Sequence, residues 1–101
     1  MKTIKEYINE SKEYSIMFLQ YDPNVKDEYE NGDATDDELH DSMYESDKVK
    51  RVKFDALDDR MAVSKATKII AKEVNKHPEL CGGSVYCGDP DDGDIVETIL
   101  L

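Results

Sequence analysis

His77, Cys81 and Cys87 have the mixed nitrogen and sulfur character of a zinc site, and His40 would supply a fourth ligand. Zinc takes four ligands tetrahedrally, and the sequence signal is strong where a C-x2-C knuckle presents two thiolates from one turn. Here the spacing is H-x3-C-x5-C, without that knuckle. His77 reads instead as the C-terminal end of a helix, where a cation complements the partial negative charge. Cys87 reads as a small buried strand residue. A cysteine–histidine nucleophile has less support, because nothing in the pattern positions a third group or an oxyanion hole.

Calcium is the second test. Counting from Asp27 puts Asn31 fifth, Gly32 sixth and Glu38 twelfth, as an EF-hand loop requires. Tyr29 takes the third position, where an oxygen ligand belongs, and Pro23-Asn24 argues against a helix just before the loop. A frame on Gly93 fails further, with Gly88 first, Pro90 third and Ile99 last. The pairs Asp36-Asp37, Asp58-Asp59 and Asp91-Asp92 would need burial to serve as acid and base. No apolar pocket-forming sequence surrounds them, and no glycine-rich phosphate loop or nucleophile elbow is present. The expectation is a protein without enzymatic activity, metal or cofactor.

The acids have a second use, as charge. Residues 22–47 hold eleven acids against Lys26 alone, residues 48–77 hold nine bases against four acids, and residues 78–101 hold six acids and no base. Such blocks give a dipolar surface or an internal pairing of acids with bases. Carboxylates spaced like phosphates on a rigid surface can enter a basic nucleic-acid-binding groove, with long-range attraction from the charge. The residues for such a contact are Asp27, Glu28, Glu30, Asp33, Asp36, Asp37, Glu38, Asp41 and Glu45, then Asp89, Asp91, Asp92 and Asp94. Tyr29 and Tyr44 would be aromatic anchors among them. The plainer reading is that the acids only keep the chain soluble. Lys65, Lys68, Lys72 and Lys76, helped by Lys48, Lys50, Arg51 and Lys53, could contact phosphates, but a net charge of −11 repels a polyanion.

These residues must be positioned by ordinary elements. Thr3 with Glu6 makes a capping-box start for a short helix, with Ile4, Tyr7 and Ile8 on one face. Residues 14–21 (YSIMFLQY) read as a central strand, stopped by Asp22-Pro23. In the acidic insert of residues 22–47, Asn31-Gly32 signals a turn. Thr35 or Asp36 caps a helix to about Glu45, with Leu39 and Met43 as its apolar anchors. Two anchors bury little, so the insert is expected to be mobile. Residues 48–54 (KVKRVKF) read as a half-buried edge strand, and residues 56–76 as a long helix ended by Pro78. Its apolar stripe is Leu57, Met61, Ala62, Ala66, Ile69, Ile70 and Val74; Asp55 and Asp58 sit where an N-cap and a first-turn acid would stabilise its start. Gly82-Gly83 reads as a turn, and residues 84–87 and 94–101 as a hairpin across GDPDDG. The expected fold is α+β: one domain, a mostly antiparallel sheet of about four strands, and one long helix on a face.

At 101 residues and 11.5 kDa, with 39% hydrophobic and 37% charged residues, the chain has room for one core. No apolar run approaches the ~20 residues of a membrane-spanning helix. The N-terminus lacks the apolar stretch of a secretory signal, so a cytosolic protein with reduced cysteines is expected.

The opening MKTIKEYINES resembles the capsid-targeting leader of T-even bacteriophage internal proteins, which begin MKTYQEFIAEA. Met1, Lys2, Thr3, Glu6, Ile8 and Glu10 match, and Tyr7 stands for Phe. Ile8-Asn9-Glu10 is similar to that family's cleavage pattern, Leu/Ile-x-Glu. The resemblance implies a phage protein of the host cytoplasm or the virion, in a group that includes anti-restriction inhibitors. The leading expectation is a phage-encoded inhibitor whose partner is a basic protein surface on a nucleic-acid-binding host enzyme, with no direct nucleic acid and no membrane. Homodimer formation is left open. A packaged virion protein without inhibitory role, and a small metal-binding domain, are the other two readings.

Overall fold

The computed structural model describes residues 11–101; the helix expected from Thr3 lies outside them. The central strand β1 (Lys12–Gln20) is buried along both faces from Tyr14 onward, save for a half-buried Met17. It pairs antiparallel with β4 (Leu80–Cys87) on one side. On its other side it pairs first with β3 (Val52–Ala56) and then with the two-residue β2 (Tyr44–Glu45). β5 (Asp94–Leu100) completes the sheet beyond β4. The sheet is thus antiparallel throughout, about four strands wide with one edge shared by β2 and β3. The chain is α+β, as the residue pattern predicts.

The long helix is α3 (Asp59–Lys76); the two short helices before it are α1 (Pro23–Glu30) and α2 (Asp36–Asp41). Ala62, Ala66 and Ile70 of α3 lie against Tyr14, Ile16, Phe18, Ala56, Leu80 and Val85. Alanine at two of these helix positions lets the backbone approach the sheet closely. Gly83 serves the same approach, since a Cβ there would stand 3.0 Å from Ile70 Cδ1 and 3.2 Å from Ile16 Cγ2. Gly82 has φ +155°, and a Cβ would collide with the Ile99 carbonyl oxygen. The Gly82-Gly83 pair is therefore strand, not the expected turn. Both glycines are required by neighbours far away in sequence.

Other boundaries shift for identifiable reasons. Asp58 caps α3 by accepting from the Met61 N–H at 2.8 Å, so Ala56 belongs to β3 and Leu57 lies before the helix. Leu57 and Met61 leave the expected stripe and are 53% and 41% exposed. Asp55 is in β3 and caps nothing. The edge strand begins at Val52, four residues later than expected.

The acidic insert departs most. Pro23 ends the strand but also opens α1, because a proline at the first helical position lacks only an N–H that had no intrahelical partner. Asp22 caps it, accepting from the Asn24 N–H at 2.9 Å. Thr35 caps α2, accepting from the Glu38 N–H at 3.2 Å while its hydroxyl donates to Glu38 Oε1 at 3.2 Å, and the helix ends at Asp41, short of Glu45. The chain then returns to the sheet as β2. Among the described residues no helix is long and apolar enough to cross a membrane.

Candidate interaction surface

Every carboxylate and tyrosine singled out from 27–45 is exposed. Asp27, Glu28, Tyr29 and Glu30 lie on α1, Asp33 on the turn after it, and Asp36, Asp37, Glu38 and Asp41 on α2. The Tyr29 phenol hydrogen-bonds Asp36, which raises its pKa, with the charge of Asp36 adding to the effect. Neither helix has a buried residue, so they are held by their connections to the sheet. The Asp22 N–H donates to Ser42 Oγ at 3.3 Å, and the Ser46 N–H to the Phe18 carbonyl at 2.8 Å.

Tyr44 is fixed from below. Gln20 Nε2 donates to the Tyr44 hydroxyl at 2.5 Å, while the Ser46 hydroxyl donates to Gln20 Oε1 at 2.6 Å. Gln20 and Ser46 are buried, so both ends of the amide are satisfied in a low-dielectric setting. Tyr44 remains 44% exposed above this pair.

The two acidic stretches meet at Arg51. Its Nε and Nη2 donate to Glu45 Oε2 and Oε1 at 2.8 and 2.9 Å, a fork-to-fork pairing. Its Nη1 also reaches Asp91 Oδ2 at 3.2 Å and Asp89 Oδ1 at 3.9 Å. Hydrogen bonds donated to Glu45 and then to Asp91 raise the arginine pKa further above its ordinary value. Glu45 pairs with Leu19, on the sheet face away from α3. The loop after β4 is anchored near that face by Ser15, whose hydroxyl donates to the Gly88 carbonyl at 2.6 Å. Asp92 and Asp94 are exposed but outside the contacts of Arg51 among the described residues. In the sequence Arg51 is one base among Lys48, Lys50 and Lys53. Its guanidinium alone, among the bases of 48–53, can engage carboxylates bidentately, and that was the available signal.

The helix lysines stand elsewhere. Lys65 donates to the Asp55 carbonyl at 2.8 Å, and Lys76 pairs with Glu73 of its own helix at 4.0 Å. Among the described residues no ion pair joins a lysine of α3 to a carboxylate of 22–47.

The residues weighed for metal are dispersed. Buried Cys81 donates to the Leu19 carbonyl at 3.4 Å, and burial raises its thiol pKa. His77 caps α3 with Nδ1 3.7 Å from Glu79, and His40 sits edge-on to Tyr21 at 6.3 Å. Among the described residues no group of three or more His, Cys, Asp and Glu side chains could hold a metal. The Asp27–Glu38 calcium frame is helical at both ends, contrary to the expectation that Pro23-Asn24 bars a helix there. Compared with known proteins, the chain matches no family model, no curated protein and no solved structure.

Proposed function

We propose that this chain is a phage-encoded acidic binding protein that inhibits a host DNA-handling or defence enzyme by occupying its basic nucleic-acid groove. The observation that carries this reading is the arrangement of the acids. Those of α1 and α2 are exposed and, among the described residues, form no ion pair with the helix lysines, while Glu45, Asp89 and Asp91 are drawn together at Arg51. Carboxylates on capped helices tied to a sheet form an ordered array, which is what substitution for a phosphate backbone requires. Tyr29 and Tyr44, each held by a hydrogen bond, add aromatic area within it. The resemblance of residues 1–11 to a capsid-targeting leader supports the phage origin.

Immobilised protein incubated with bacterial lysate tests the reading. The captured enzyme should be released by raised salt, because screening removes the attraction at a Debye length of about 8 Å near physiological ionic strength, and duplex DNA should compete for it. Neutralising Asp36, Asp37 and Glu38 together should abolish capture. A complex indifferent to salt and to DNA would sink the proposal.

A further inference from the structure

Strand β5 leaves one edge of the sheet unpaired among the described residues. The Leu101 N–H donates to the Cys81 carbonyl at 3.0 Å, so the backbone groups of Leu101 and Ile99 face β4. By antiparallel alternation, the N–H and C=O groups of Thr98 and Leu100 face away from the sheet. Pairing is regular from Glu97 to Leu100, because the one register irregularity lies between Val85 and Tyr86. Natural edges of this kind are usually guarded by lysine or proline. Residues 94–101 contain neither, and present Asp94 and Glu97 with Ile95, Leu100 and Leu101 exposed.

We infer that β5 is a docking edge for an extended, lysine- or arginine-bearing segment of a protein partner, which adds to the sheet as a further strand. Backbone groups of Thr98 and Leu100 supply the ladder, and exposed Ile95 and Leu100 supply apolar contact. The sign of the occupant follows from charge: residues 78–101 carry six acids and no base. A second copy would bring the same acids against this edge, and like charges across a strand pair repel. From the proposed function this inference takes only the partner's positive charge; it does not need nucleic-acid mimicry.

The test is an NMR titration of the full chain with a short peptide alternating valine and lysine, alongside a valine–glutamate control. The lysine peptide should shift the Thr98 and Leu100 amides and the control should not. Leu100→Pro, which removes an outward N–H and no bond to β4, should weaken binding by about tenfold, the effect of 1.4 kcal/mol. Glu97→Lys, an exposed change, should weaken it too, and decides the matter should the proline variant not fold. Undiminished binding by the folded variants would overturn the inference, as would binding of the glutamate peptide. Slow exchange of the Thr98 and Leu100 amides in the free protein would also overturn it, because the edge would already be covered by a second copy or by residues 1–10. Shifts confined to α1 and α2 would overturn the edge while leaving the proposed acidic surface standing.

Discussion

Arg51 grips Glu45 through two parallel hydrogen bonds, at 2.8 and 2.9 Å, and holds Asp91 of the β4–β5 loop with the same guanidinium. One exposed cation thereby joins acidic stretches that lie 46 positions apart in the chain, at 45 and 91. Arg51→Gln should leave the melting temperature close to that of the parent, since exposed ion pairs contribute little to stability. It should, however, speed amide exchange in residues 89–93, measured by hydrogen–deuterium exchange. Unchanged exchange there would mean that the loop is held by its backbone alone.

Tyr14 links core and surface. Its ring is fully buried and its hydroxyl donates to Asp59 Oδ1 at 2.7 Å. Tyr14→Phe should cost about 1 kcal/mol, the net worth of one hydrogen bond, in urea unfolding near neutral pH.

The same phenol sets an alkaline dependence. Burial, then the hydrogen bond to Asp59, raises its pKa well above the ordinary 10.0. The folded state therefore keeps the proton that the unfolded chain releases. This stabilisation is whole below pH 10.0 and is lost as pH rises beyond it towards the folded value. Tyr14→Phe should flatten that part of the stability curve; parallel curves for the two proteins above pH 10.0 would refute the assignment.

The glycine pair of β4 separates two kinds of crowding. Gly83→Ala pushes a methyl against Ile70 and Ile16 and should cost about 1–3 kcal/mol, as overpacking does. Gly82→Ala adds a positive φ and a collision with a carbonyl, so it should destabilise more. Chemical denaturation of both variants gives the order; equal losses would contradict it.

Local signals were readable where local physics governs. Thr35, Pro78 and the β-forming residues of 14–21 place a cap, the helix end and the central strand, because capping and local conformational preference depend on residues a few positions apart. The α+β class followed from those elements. Pro23 was ambiguous in the same local sense, since one residue can both end a strand and open a helix.

What the chain alone determined is the supply of charge: where the acids fall, and that bases are missing after position 77. Only tertiary structure decided that Gly82 and Gly83 sit inside a strand beneath Ile70 and Ile99, that Leu57 and Met61 stay outside the core, and that Arg51 unites Glu45 with Asp91. Each of these turns on the approach of atoms distant in sequence. Steric exclusion and hydrogen bonding act over a few ångströms of space, and sequence spacing does not report that distance.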